Sequence, residues 1–499
     1  MTGPLPDPLW PHPTAVTQVR IDFSVGQNRD SVALNVGWGS IRMLQEDLGG
    51  FGDARLRRVG ARLLEAMGEQ PTTCVHALAK DRNEALSFGR FLDHSSVSHA
   101  EMLTTTGRFT GQRAAGRHVL AIQDTTEFNF PGHAASKSGF GRSGNNRDLG
   151  LFIHPTIAVD AEHGGIIGLV GAQVLNRTGD KVDTSKPRAI EDKESYRWLL
   201  AVEEAADVLS AAASVTVVAD RESDIYEQFA RRPESVHLLT RAAQDRCLAE
   251  AGRLFATIDA WPEQHRETIV LPAQPGRRER TACLSLRFGT VSLRRPPTAD
   301  KDLAANVDVF VVDVAEVDAP VGVEALHWRL LTTHAVTTVE QARQIVTWYR
   351  QRWIIEQVFR TLKSAAVQAD QSQVTEARRF TKLAVVGLIS AVRIMQIVNA
   401  HDGRTGQSMA DAIDPVHTPT LTALNARLEG RTEKLKNPHP LASLAWFGWI
   451  VARLGGWSGY TSRGYKPAGP KTIARGITRL DGFVEGRNLA IHSADMRLP

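Results

Sequence analysis

The chain lacks the residues that several common function classes need. Its three cysteines, Cys74, Cys247 and Cys283, are odd in number, scattered and form no C-x-x-C pair. That removes the usual support for zinc fingers and for a disulfide framework, and fits a reduced compartment. No H-E-x-x-H occurs, so zincin-type proteolysis has no anchor, and no G-x-x-x-x-G-K-[ST] loop occurs to cradle nucleotide phosphates. Long apolar runs are also missing: 383–392 and 441–452 fall short of bilayer thickness and stop at Arg393 and Arg453. The N-terminal stretch has no basic segment followed by an apolar one. We therefore expect a cytoplasmic protein with no membrane span and no nucleotide cofactor. Neither internal repeats nor low-complexity arrays interrupt the chain.

What is present is ordinary globular material, 42% apolar and 23% charged over 499 residues, enough for about three structural units. The net charge of +4 says little, but its distribution says more. Residues 450–499 hold eight Lys/Arg against three acids, a local +5, and Arg55, Arg57, Arg58 and Arg62 form a second basic concentration. Polyanions are the natural partners of such ends.

Five prolines in the first thirteen residues predict a loose tail over 1–39. A helical pattern occupies 40–113: Leu56, Val59, Leu63 and Met67 share one face, and Arg55, Arg58 and Arg62 fall within about 60° of one another at 100° per residue. Strand-like runs follow at 118–123, 152–160 and 165–170, then a helix near 191–209 and a strand at 215–219. This is a mixed α/β unit. Between 229 and 338 alternating β-branched runs at 282–293, 307–314 and 327–332 predict a β-rich insertion. One helix is expected over 339–364 and an apolar helix over 377–399. The basic end region, 401–499, carries Trp446, Trp449 and Trp457.

Two apolar strands end in aspartate, H-V-L-A-I-Q-D at Asp124 and V-T-V-V-A-D at Asp220. Neighbouring strands lie about 4.8 Å apart, so adjacent strands would bring both carboxylates onto divalent cations. Singly, each is an ordinary turn or cap residue. A third acid comes from W-Y-R-Q-R-W-I-I-E-Q-V-F-R-T-L-K, 348–363, where Tyr349, Arg352, Glu356 and Lys363 fall in one stripe about 60° wide on an ideal helix. Ile354, Ile355, Val358, Phe359 and Leu362 occupy the packing side. A glutamate flanked by cations on its own stripe suits a metal beside a phosphodiester, and equally suits a surface ion pair between Arg352 and Glu356 worth about 0.3–0.5 kcal/mol.

The spacing Y-x2-R-x3-E-x6-K resembles the Y-R-E-K motif of bacterial DDE transposases of the insertion sequence four group. Q-D-T-T at Gln123–Thr126 is similar to that family's first aspartate motif and D-R-E-S-D at Asp220–Asp224 to its second, while Glu356 falls on its catalytic glutamate. Trp328, 21 residues before Tyr349, resembles the family tryptophan that stacks on transposon-end DNA, and Arg241 and Trp353 match positions around the flipped-base pocket. G-D-A-R-L-R-R, from Gly52 to Arg58, resembles the start of the N-terminal DNA-binding domain. The likeness covers about 40–400, leaving the first forty and last hundred residues without family motifs.

The resemblance implies an α/β, RNase H-like catalytic core in two parts, 114–228 and 339–400, interrupted by the β-rich insertion 229–338. It implies a helical DNA-binding domain over 40–113, with Arg55, Arg58 and Arg62 as contacts, and a mainly helical C-terminal region. Asp124, Asp220 and Glu356 would be the catalytic residues and the ligands of two Mg²⁺ ions, with Mn²⁺ able to substitute. Tyr349, Arg352, Lys363, Arg241, Trp328 and Trp353 would contact DNA. The partners implied are double-stranded DNA, both element ends and target, and a second copy of the chain in a synaptic homodimer at the nucleoid. Two other readings stay open: an RNase H-like nuclease without strand transfer, and a catalytically silent DNA-binding regulator.

Minor signals are weighed differently. Gly139-x-Gly141-x-x-Gly144 lacks the strand-then-helix context of a dinucleotide site, and with Lys137, Arg142 and Arg147 it reads as a mobile surface loop able to meet DNA. Glu127, Glu222 and Asp224 are secondary ligand candidates, and His154 reads as a satisfied strand histidine.

Overall fold

The computed structural model describes residues 48–495 apart from 71, 133–135, 178–187, 272–278, 367–371 and 462–463. The Pro-rich stretch expected to be a loose tail lies outside the described residues.

Four helices open the described chain: α1 (Ala54–Glu69), α2 (Val75–Leu78), α3 (Arg82–Asp93) and α4 (His99–Ala114). Asp53, Asp81 and Ser98 start three of them by accepting hydrogen bonds from the backbone N–H of Arg55, Glu84 and Glu101. Leu63 and Met67 are buried and Leu56 and Val59 pack beside them, as the helical spacing predicts.

A mixed sheet follows, built from β1 (His118–Gln123), β2 (Thr126–Phe130), β3 (Gly141–Arg142), β4 (Leu149–Asp160) and β5 (Ile166–Leu175), then α5 (Tyr196–Val208), β6 (Ser214–Ala219), α6 (Tyr226–Arg231) and β7 (Val236–Arg241). Next come α7 (Leu254–Asp259), β8 (His265–Leu271), β9 (Arg280–Arg294), β10 (Asn306–Val317) and β11 (His327–Thr332). β4 pairs antiparallel with β1, and β6 and β7 run parallel to it. The continuous apolar run of β1 has a direct cause. Leu120 and Ile122 enter one core and Val119 and Ala121 the other, so helices cover both faces.

The expected insertion boundary at 229 falls inside α6, and β7 pairs with β6 in the core. β11 then pairs antiparallel with β7 and carries β10, β9 and β8 onto the same sheet. The insertion therefore extends the sheet. Its edge-to-edge hydrogen bonding could not be read from alternation, which reports faces and not neighbours.

The remaining elements are helical: α8 (Val339–Gln351), α9 (Trp353–Thr361), α10 (Ala377–Ala400), α11 (Thr418–Leu428) and α12 (Leu444–Leu454), then a small hairpin of β12 (Tyr460–Thr461) and β13 (Gly464–Tyr465), then α13 (Pro470–Asp495). The expected helix over 339–364 is instead α8, a tight turn at Arg352, α9 and a π-turn at Leu362–Ala366. α10 is long and apolar enough to cross a membrane, but 83% of its apolar window is buried inside the protein. It touches α1, α3, α4, β5, α9, α12 and α13. Buried Lys382 on α10 donates to the carbonyls of Leu92 and His94 at 2.7 and 3.1 Å, satisfying the C-terminal end of α3.

Several cations of the basic tail have structural partners. Arg475 and Arg479 donate to the carbonyls of Gly455 and Leu454 at 2.6 and 2.7 Å, and Arg453 donates to those of Trp457 and Ser458. Arg475 and Arg479 satisfy the C-terminal end of α12, where helix carbonyls lack partners and the dipole favours positive charge, while Arg453 ties the segment that follows.

α4 crosses β5 and α5 at close range because it carries glycine at two contacts. A Cβ on Gly107 would stand 2.4 Å from the Val170 carbonyl oxygen and one on Gly111 2.2 Å from that of Val208. Gly107→Ala is expected to cost about 1–3 kcal/mol as an overpacked contact, seen as a lower thermal unfolding midpoint, whereas Gly116→Ala, with open space around it, pays only for its positive φ.

Candidate active site

Asp124 and Asp220 follow directly on β1 and β6. The parallel register pairs Ile122 with Val218, so its continuation sets Asp124 opposite Asp220. Asp220 also caps the short 3-10 turn Arg221–Ser223, accepting from the Glu222 N–H at 2.9 Å. Asp124 accepts from the Thr125 N–H at 2.7 Å. Glu356 arrives from the first turn of α9. Arg352, at the turn between α8 and α9, joins the set: its guanidinium donates to Asp124 Oδ2 at 3.1 Å and to Glu356 Oε1 at 2.5 Å.

The electrostatics follow from that placement. Burial and the neighbouring Asp220 push the Asp124 carboxyl up to about 7, against the opposing pull of Arg352. Arg352 is held fully cationic by Tyr349, Asp124 and Glu356, which outweigh its own burial. The Tyr349 hydroxyl is pushed up by burial, with Arg352 and Arg241 opposing. Burial lowers Arg241, whose charge is felt by Tyr349, Arg352 and Asp220, and which donates to the His327 carbonyl at 2.9 Å.

The four residues expected on one open stripe divide. Tyr349 lies on the buried face of α8 with Ala342, Ile345 and Val346, and the tight turn at Arg352, where its N–H bonds to the Tyr349 carbonyl at 3.0 Å, separates it from the residues of α9. Tyr349 is 6% exposed and meets Trp328 edge-on at 5.6 Å, so it braces the site from beneath. Arg352 and Glu356 stay partly exposed, and Lys363 lies exposed in the π-turn beyond α9. Trp353 is half-buried, with the Arg360 guanidinium 5.8 Å over its ring.

Outside this group, Arg55 and Arg58 are exposed on α1. Arg62 differs from the expected DNA contact: it pairs with Glu84 at 2.9 Å, Glu65 at 3.3 Å and Glu69 at 3.7 Å, tying α1 to α3. Three acids around one guanidinium leave little field for a phosphate. The secondary acids are also engaged. Glu127 accepts from the Gly144 N–H at 2.7 Å, Glu222 pairs with Arg197 at 2.8 Å, and buried Asp224 takes Arg246 and two backbone N–H groups. His154 is buried and satisfied by Thr125 Oγ1 at 2.8 Å and Gln123 Oε1 at 3.0 Å, and burial lowers it to about 3.

The glycine loop is more ordered than its composition suggests. Asn145 accepts from the N–H groups of Arg147 and Asp148, Ser143 bonds Asn145, and Glu127 on β2 pins Gly144. A surface loop built this way holds Arg142 and Arg147, both exposed, in fixed positions. Arg197 was not foreseen at all. From α5 it donates to Thr125 Oγ1 at 3.1 Å beside Asp124, and a lone arginine in a helix's first turn gives no signal of that in sequence.

Residues 116–393, more than half the chain, match the family described as transposase DDE domain. The chain belongs to that family. All three acids lie inside the match, and the family makes this a transposase whose partner is DNA. DDE transposases generally use divalent metal ions. The residues fit one chemically: hard carboxylate oxygens are what such ions take, and a carboxyl held to about 7 beside a second aspartate marks a site short of positive charge. Arg352 now supplies part of that charge. Among the described residues no three His, Cys, Asp or Glu side chains are drawn together tightly enough to hold an ion.

The raised Asp124 carboxyl makes a stability prediction. The folded transposase keeps this proton to about pH 7 while the unfolded chain releases it near 3.8. The unfolded state then binds fewer protons, so stability contributed by the neutral form is lost as pH rises through that window. In chelator, Asp124→Asn is expected to melt above wild type at pH 8 and level with it near pH 4, as read by thermal unfolding at both pH values.

Proposed function

We propose that this transposase is a cut-and-paste enzyme of the insertion sequence four group, with Asp124, Asp220 and Glu356 as catalytic acids. One observation carries the reading: Arg352 bonds both Asp124 and Glu356, and Asp220 stands beside Asp124 at the neighbouring strand end. An RNase H-like core is supported by the path β5-β4-β1-β6-β7, in which β1, β6 and β7 are parallel and β4 runs against β1. The Y-R-E-K assignment is supported by the electrostatic neighbourhood of Tyr349, Arg352 and Asp220.

The three carboxylates would hold two Mg²⁺ ions, which when bound supply Lewis-acid activation of the attacking oxygen and charge relief at the leaving oxygen. The protein's own residues orient the substrate. Arg352 and Arg241 offer guanidinium donors to the phosphodiester, and Lys363 adds charge along the strand. Glu356 would hold an ion in place of its Arg352 contact, which would leave the guanidinium for phosphate. Trp328, half-exposed beside Tyr349, offers a stacking face to a base drawn from the duplex, and Trp353 would be a further DNA contact. Water attacks first and the 3′ oxygen leaves. The freed 3′-hydroxyl then attacks the opposite strand, exchanging one phosphodiester for another and giving a hairpin; a second water opens the hairpin and frees the 3′-hydroxyl again, which finally attacks target DNA in a second exchange. Exposed Arg55 and Arg58 would contact the duplex away from the cut. A synaptic homodimer acting at the nucleoid completes the proposal.

The test uses purified protein and supercoiled DNA carrying the inverted repeats that flank the coding region. With Mg²⁺, wild type is expected to give excision with hairpin intermediates and strand-transfer products, reduced by at least about 10³-fold in Asp124→Asn and Glu356→Gln. Cutting without joining would favour the nuclease reading. End binding without cleavage, in Mg²⁺ and in Mn²⁺, would overturn the catalytic assignment in favour of a regulator.

A further inference from the structure

A second site of distinct chemistry lies in the C-terminal region. The turn at 433–439, the end of α12 and the segment after it enclose a cleft of about 390 Å³, within the range of small-molecule sites. Its lining combines two kinds of group. Lys434, Lys436 and Arg453 are cationic, and Trp449, Trp457 and His439 are flat aromatic rings. The one acid in the lining, Asp402, already bonds the Arg404 guanidinium at 2.5 Å. Lys436 lies 2.5 Å from Glu433, but both are well exposed, and a pair of that kind contributes little and exchanges readily.

The aromatic side is built and held. Trp457 Nε1 donates to the Lys466 carbonyl at 2.7 Å, and His401 meets its ring edge-on at 4.8 Å. Gly459, at φ +82°, passes close enough that a Cβ there would stand 3.4 Å from the indole. The Arg453 guanidinium lies 5.6 Å over the Trp449 ring, fixed by the carbonyls of Trp457 and Ser458. His439 crowds Gly403, whose Cβ would stand 3.0 Å from the imidazole Nδ1.

An inorganic anion would use the cations and leave the rings idle, and an apolar ligand would do the reverse. A nucleoside phosphate uses both, the base on an aromatic face and the phosphate on the lysines. We propose that this cleft binds a nucleoside phosphate in the form of an unpaired nucleotide of a DNA strand, with its base against Trp457 and its phosphate at Lys434 and Lys436. The choice of a strand over a free nucleotide rests on the DNA-handling reading above. The cleft thereby gives the C-terminal region a way to grip single-stranded DNA that does not involve the three acids.

The experiment titrates full-length protein, in chelator, into a fluorescently labelled short single-stranded oligothymidylate and follows anisotropy, with free thymidine monophosphate as competitor. Wild type is expected to bind the oligonucleotide. Trp457→Ala and the double variant Lys434→Gln/Lys436→Gln should each weaken it by about tenfold or more, while Trp457→Phe retains most of it. The double variant changes only exposed side chains, so it reports on the cleft even if Trp457→Ala fails to fold. Equal affinity of wild type and the double variant, or no binding by wild type, would overturn the proposal. So would saturable binding of thymidine monophosphate that the oligonucleotide cannot displace. If Mg²⁺-dependent cleavage is absent but oligonucleotide binding falls in the cleft variants alone, the catalytic reading fails and this one stands.

Discussion

Parallel pairing of β1 with β6 puts two carboxylates at neighbouring strand ends, and their repulsion is the constraint around which the surrounding side chains are arranged. Burial inside a sheet covered on both faces makes that repulsion expensive, because little water remains to screen it. Arg352 answers part of it, and the tight turn between α8 and α9 lets one guanidinium reach Asp124 and Glu356 at once. Tyr349, on the buried face of α8, fixes the arginine from behind.

Much of this was legible in the sequence because period and continuity report burial well. The strands at 118–123 and 327–332 and the apolar helix near 377–399 fall where their patterns predict. Both aspartates could be placed at strand ends because each follows an unbroken apolar run. The helix break at Arg352 could not be read, since no Gly or Pro marks it in W-Y-R-Q-R-W-I-I-E and tertiary contacts decide the turn. Nor could the membership of β7 in the core sheet, because a strand's neighbours are chosen by pairing over long separations. Arg62 was misjudged for a related reason. A basic stripe on one helix looks free until Glu84 on the next helix is seen beside it.

Positive charge in the C-terminal region divides into two roles. Arg475 and Arg479 serve the open end of α12 and Arg453 the segment after it, and their number says nothing about nucleic acid. Lys434 and Lys436 line a cleft that Trp449 and Trp457 also line. Counting charges along a sequence merges these roles, whereas hydrogen-bond partners separate them.

The central position of α10 has a consequence for synthesis. This helix packs against α1, α3, α4, β5, α12 and α13, yet it is made roughly three hundred residues after α1. At about 5–20 residues per second, the first helices wait on the order of 15–60 s with their apolar faces uncovered before the helix that covers them leaves the ribosome. Nascent chains of this protein should therefore depend on chaperones that shield apolar surface during that interval, and a transcript cut short before α10 would yield an insoluble product in place of a smaller working one.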